Sequence, residues 1–146
     1  MYRDILLPVD LGHDSSWQRA LPVAVEYCQA FGATLHVMTV IPSFSLPIIG
    51  QYFPPDFEQK AREEANRQLH AFVKDKVPSK VNVQHIVAEG MFYQQIIAVA
   101  DQIDADLIVM ARHRPDLKDY LLGPDAENVV RHTRRSVLIV YDDHPL

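Results

Sequence analysis

A doubly wound, Rossmann-like α/β fold with a five-stranded parallel sheet and helices on both faces is predicted by three features of the chain. Five short apolar segments recur, each separated by enough residues for a helix. Three of them are nearly unbroken in Ile, Leu and Val, as strands covered on both faces are: ILLPV at 5–9, LIVMA at 107–111 and VLIVY at 137–141. The intervals between them carry apolar residues at spacings of three and four, the period of a helix with one buried face.

Each element has its own justification. The first strand is Ile5–Val9. A helix follows in which Trp17, Leu21, Ala24, Val25, Cys28 and Phe31 share a stripe, with Gly32 as terminator. Pro22 falls inside that stripe and is expected to kink or thin the second turn. The second strand is Thr34–Ile41. The segment Pro42–Pro55 holds four prolines and reads as a long irregular loop. Its apolar residues, Phe44, Leu46, Ile48, Ile49, Tyr52 and Phe53, suit a cover over a cleft or a partner surface. Phe57, Ala61, Ala65, Leu69, Phe72 and Val73 form the second helix, stopped before Pro78. In the third strand, Val81–Val87, apolar residues and His85 alternate with Asn82 and Gln84, which suits an edge strand. Tyr93, Ile96, Ile97, Ala100 and Ile103 define the third helix, and Ala126, Val129 and Val130 a short fourth before the last strand. Such alternation gives a parallel sheet with right-handed crossovers in a single domain, 1–146.

The totals exclude several functions. A chain of 146 residues can bury one sizeable core. Its formal net charge of −5 gives no global case for nucleic acid or an anionic membrane as partner. No apolar run approaches the roughly 20 residues of a membrane span, and the opening MYRDILLPVD is not a secretion signal. One cysteine, Cys28, cannot form an internal disulfide, fits a reducing cytoplasm and reads as a packed core thiol.

In doubly wound sheets ligands bind at the carboxyl ends of the strands, where strand order reverses. Those ends are Pro8-Val9-Asp10, Val40-Ile41 and the run from Met110 onward. Asp10 suits either a ribose hydroxyl or metal on one hand, or a turn or helix cap on the other. After the fourth strand, Arg112, His113 and Arg114 supply cationic donors. Gly123-Pro124-Asp125 reads as a helix start, because Gly is an acceptable N-cap and Pro suits the first helical position. Free amides at Asp125, Ala126 and Glu127 would add a second anion-binding device, the alternative being a solvated turn. Catalytic patterns are missing: there is no complete Walker A motif, no GxGxxG and no metal pattern of closely spaced His and Cys. Ser15 and Ser16 beside Asp14 and His13 read as a helix start, and His132 as a helix end. A phospho-acceptor receiver is excluded too, because Ala88-Glu89-Gly90 follows the third strand where that fold needs Asp.

Four segments carry a resemblance: ILLPVDLG at the start, HVMTVIP in the second strand, AEGMFYQQIIAVADQIDADLIVMARHR, and the ending LLGPDAENVVRHTRRSVLIV. Together they resemble the universal stress protein family over essentially the whole chain, and HRPDLKDYLLG is similar to the family's F-type branch. The resemblance implies an adenine nucleotide alpha-hydrolase-like fold and a cytoplasmic, homodimeric regulatory module. Its ligand would be ATP or AMP, with Mg²⁺ entering through the nucleotide. It implies adenine near Pro8, Val9 and Val40, and ribose or a metal at Asp10. The phosphates would lie among Met110, Ala111, Arg112, His113, Arg114, Gly123, Pro124, Asp125 and Ala126. It also implies that the last strand, through Val137, Leu138, Ile139 and Val140, pairs antiparallel with its copy across a two-fold axis. An unknown protein partner completes the expectation; no catalytic residue and no protein-held metal belong to it.

Nucleotide-binding members of that family carry G-x2-G-x9-G-[ST] in this region. Here Ala111 and Arg114 stand at the first two glycines, only eight residues, Pro115–Leu122, precede Gly123, and Pro124 replaces the hydroxyl residue. Arg112 and Arg114 would then supply charged donors in place of backbone amides. The alternative is a stress-response interaction protein of the same fold that binds no nucleotide. A slow nucleotide hydrolase would have only Asp10, His113 and Asp125 to draw on.

Overall fold

The computed structural model describes residues 1–43, 54–112 and 124–141. Five parallel strands lie in the order β3-β2-β1-β4-β5. They are β1 (Asp4–Pro8), β2 (Thr34–Ile41), β3 (Val83–Glu89), β4 (Leu107–Ala111) and β5 (Ser136–Val140). Among the described residues, four α-helices lie between them: α1 (Ala20–Phe31), α2 (Phe57–Lys76), α3 (Phe92–Gln102) and α4 (Pro124–His132). The chain winds outward from β1 to β3, then crosses back so that β4 pairs with the other side of β1, with Ile5 opposite Leu107. The switch point therefore falls between β1 and β4, as a doubly wound sheet requires.

Alternation along the strands sorts the core into two layers. Ile5, Leu7, Leu35, Val37 and Val109 face α1 and α2 with Leu21, Ala24, Leu69 and Val73. Leu6, Met38, Ile108 and Met110 face α3 and α4 with Ile96, Ala100, Ala126 and Val129. Each fully buried Leu, Ile or Val contributes about 1.5–3 kcal/mol relative to exposure, so both layers stabilise the fold. Cys28 lies in the first layer, and burial pushes its thiol up to about 11. It is inert packing, as its place in the helical stripe implies.

The sequence places these elements within a few residues, with one correction. Helix α1 starts at Ala20, so Trp17 stands outside it, after a 3-10 turn at Asp14–Ser16. Pro22 is then in the first turn, where a backbone N–H is not required, and it kinks nothing. Trp17 still reaches the core edge, with its ring against Phe72 at 5.0 Å. Gly32 ends α1 as expected: at φ 66° it is left-handed, and the N–H groups of Gly32 and Ala33 both donate to the Cys28 carbonyl. β3 is indeed an edge strand, and it runs to Glu89 because its last residues pair with Val40 and Ile41. Most of the Pro42–Pro55 loop, residues 44–53, lies outside the described residues.

Candidate functional site

Because all five strands are parallel, their carboxyl ends share one edge of the sheet. That edge brings together Asp10 after β1, Val40 and Ile41 ending β2, Gly90 after β3, and Ala111 and Arg112 ending β4. The first turn of α4 is the next described element, and its Ala126 lies in the same buried layer as Met110 of β4. His113, Arg114 and Gly123 lie outside the described residues, as do the contacts of the Pro124 ring. The other expected site residues are brought to one end of the molecule.

Asp10 is the best-held of them. Its Oδ1 accepts from the Gly12 N–H at 3.0 Å, an Asx turn, and its Oδ2 lies 3.0 Å from His13 Nδ1. The Asp10 N–H donates to Ser16 Oγ at 2.9 Å, and that hydroxyl lies 2.8 Å from the His13 carbonyl. The turn reading of Asp10 holds. It closes a turn, and its carboxylate still keeps 48% of its side-chain surface open to solvent. Carboxylate oxygens accept more than one hydrogen bond each, so the turn does not exhaust them.

Most of the remaining described residues are buried. Pro8 and Val9 are buried, and Val9 is held to the sheet by its N–H on the Met38 carbonyl at 2.8 Å. Met110 and Ala126 are buried in the layer under α3 and α4, and Val40 packs half-buried against that layer. These side chains shape the sheet end from below; Val40 and Ala111 retain open surface. Arg112 is fixed by its N–H on the Val140 carbonyl at 2.8 Å, and its guanidinium carbon sits 4.9 Å from the centre of the Tyr141 ring. Asp125 and Glu127 make the first turn of α4 acidic, while Arg131 and His132 make its last turn basic, both favourable to the helix dipole.

Three contributors escape sequence reasoning. Ser16 pins the Asp10 turn, although the sequence shows it only as one of two adjacent serines. Tyr141 carries the Arg112 guanidinium. At the β3 end, Arg62 of α2 donates to the Val87 carbonyl at 3.2 Å and to Glu89 at 3.0 Å. Glu58 is hydrogen-bonded to Glu89, and this shared proton together with the repulsion of the second carboxylate holds the Glu58 carboxyl above its usual range. The three residues come from α2 and β3, so their meeting has no local signal. Among the described residues, no group of three or more His, Cys, Asp or Glu could hold a metal, and no helix is long and apolar enough to cross a membrane.

β5 forms the other edge of the sheet. Among the described residues it pairs with β4 alone, and Val137, Leu138, Ile139 and Val140 are half-buried on it.

A parallel sheet of this order, wound outward on both sides of β1 and β4, defines the doubly wound α/β class. The model of the universal stress protein family matches residues 1–141, and the chain belongs to that family. Universal stress protein G of Escherichia coli O157:H7 is 28% identical over 144 residues, covering 96% of this chain and 99% of that protein. The solved structure of MJ0577 has a TM-score of 0.74 at 25% identity and covers 99% of both chains; universal stress protein MJ0577 is from Methanocaldococcus jannaschii. A universal stress protein solved in complex with cAMP is 26% identical, with a TM-score of 0.61 over 96% of this chain and 97% of that one.

Proposed function

We propose that this universal stress protein is a regulatory module rather than an enzyme. It is a cytoplasmic homodimer that binds an adenine nucleotide, ATP or AMP, at the carboxyl ends of β1, β2 and β4. The observation that carries the reading is the Asp10 turn. A half-open carboxylate is held by Gly12, His13 and Ser16 at the switch-point edge, which is where a ribose hydroxyl would donate. Arg112 stands on the same edge as a charged donor for phosphate, and the similar protein solved with cAMP supports the adenine class. His113, Arg114, Gly123, Pro124, Asp125 and Ala126 complete the phosphate side. Pro8, Val9, Val40, Met110 and Ala111 form the floor. Mg²⁺ would enter with the nucleotide and would offset the repulsion between its phosphates and the Asp125 carboxylate. The open edge of β5, apolar at Val137–Val140, pairs antiparallel with the same strand of a second copy.

A second reading has its own observation. Asp125 and Glu127 place two carboxylates in the first turn of α4, beside the position a phosphate would take. They repel an anion that carries no metal, and the chain would then act as a stress-response interaction protein without nucleotide.

One experiment separates the two. The freshly purified protein is denatured and the released small molecules are read by mass spectrometry, with calorimetric titration of ATP and AMP in Mg²⁺ alongside. Bound or titratable adenine nucleotide supports the first reading. An empty protein that gives no heat supports the second.

A further inference from the structure

We propose that a cleft at the amino end of the sheet, between the end of α1 and the loop that leads into β3, binds a small organic monocarboxylate with a short apolar body. The cleft has a volume of about 350 Å³, within the range of small-ligand sites. The end of α1 and the residue before β2 contribute Cys28, Gln29 and Ala33, and the loop contributes Lys80, Val81 and Asn82. These residues precede β2 and β3, so the cleft lies at the edge opposite Asp10 and Arg112. It is independent of the strand-end nucleotide reading.

Both sides of the cleft are fixed by backbone hydrogen bonds. The N–H groups of Gly32 and Ala33 close the end of α1 on the Cys28 carbonyl. The loop turns where the Val81 N–H donates to the Pro78 carbonyl at 3.1 Å. The Leu35 N–H then ties the two sides together by donating to the Asn82 carbonyl at 2.8 Å. A cleft held in this way spares a ligand much of the cost of ordering its site. Gly32 also lines it, and even a Cβ there would meet nothing within 4 Å, so that side stays open.

The lining divides into an apolar floor and a rim of donors. Cys28, Ala33 and Val81 are buried, whereas Gln29, Lys80 and Asn82 are exposed. Burial keeps the Cys28 thiol protonated at neutral pH, so the floor carries no negative charge. No Asp or Glu lines the cleft, and Lys80 is its one charged side chain. Lys60, Lys76 and Arg131 each stand against a carboxylate, but Lys80 makes no ion pair among the described residues. One ammonium and two side-chain amides supply N–H donors for the two oxygens of a carboxylate. A single cation matches a single negative charge, and Mg²⁺ or Ca²⁺ would find no carboxylate to hold it. The buried floor takes the apolar body.

The test titrates the isotope-labelled full chain with benzoate at neutral pH and low salt, and reads amide correlation spectra. Benzamide, which has the same shape without the charge, is titrated in parallel. The expected result is saturable movement of the Gly32, Ala33, Val81 and Asn82 amides by benzoate, with Kd on the order of 1 mM, as suits so small a ligand. Benzamide should bind at least about fivefold more weakly, and K80Q should weaken benzoate by a similar factor. K80E should abolish binding, while K60Q, at the far end of α2, keeps it. Lys80 is exposed, so its variants should fold, and the same spectra verify this. Shifts that are absent, that never saturate or that fall elsewhere on the chain overturn the proposal. Equal binding of benzamide, or benzoate binding that survives in K80E, overturns it as well.

Discussion

The Arg112 guanidinium lies over the ring of Tyr141, 4.9 Å from its centre, and so joins the end of β4 to the end of β5. Arg112 thus stands between the strand-end site and the open sheet edge. If it is a phosphate donor, removing it should cost affinity without loosening the core, because its backbone tie to Val140 survives any side-chain change. The expected outcome for Arg112→Ala combined with Arg114→Ala is a loss of at least about tenfold in nucleotide affinity, the worth of one charged hydrogen bond. Calorimetry measures the affinity, and circular dichroism with sedimentation checks that fold and assembly are unchanged. Unaltered affinity in the double variant would remove the arginines from the site.

Ser16 offers a subtler test. Its hydroxyl accepts from the Asp10 N–H at 2.9 Å and bridges to the His13 carbonyl at 2.8 Å. Ser16→Ala leaves a half-buried N–H without its acceptor. A loss of about 1 kcal/mol in urea unfolding is expected. Nucleotide affinity should fall as well, since the Asp10 carboxylate is no longer held. A stability loss with unchanged affinity would mean that Asp10 only closes its turn.

The fold was more legible than the site, for physical reasons. Runs such as LIVMA at 107–111 announce buried parallel strands because both faces of that strand are covered, and β4 lies where they put it. The start of α1 was misplaced because Trp17 and Leu21 have helical spacing, yet a 3-10 turn intervenes, and apolar spacing alone does not register a change of helix type. Asp10 was legible because it follows a strand directly. Its clamp was not, because Ser16 acts across six residues. The meetings of Arg62 with Glu89 and of His70 with His85 depend on α2 packing along β3, which only the folded chain decides.

Gly90 is a position where backbone conformation dictates the residue. At φ 135° it occupies a region that side-chain-bearing residues rarely adopt, and a Cβ there would lie 2.9 Å from Gln95 Nε2. Its N–H donates to the Ile41 carbonyl at 2.9 Å, so the strain cannot be released without breaking the turn that leads from β3 to α3. Gly90→Ala should cost about 1–3 kcal/mol, read as a lower urea midpoint at unchanged slope. Gln95→Ala relieves the contact but not the φ, so the double variant should recover only part of the loss.

His85 should make stability depend on pH. Burial, and then the neighbouring His70, hold its folded-state value below that of the unfolded chain. Arg67 and Lys74 flank His70 on α2, and Val37 brings no charge from β2. With the folded value depressed, the unfolded state binds the extra proton first. The contribution is therefore complete above the unfolded imidazole range near 6.5 and is lost as pH falls through it toward the folded value. Wild type and His85→Gln are compared by urea unfolding at pH 7.5 and pH 5.5. The stability lost by wild type between the two should exceed that lost by the variant, because Gln carries no proton to gain. Equal losses would show that the His70–His85 stack does not sense protons, and that its packing is indifferent to charge.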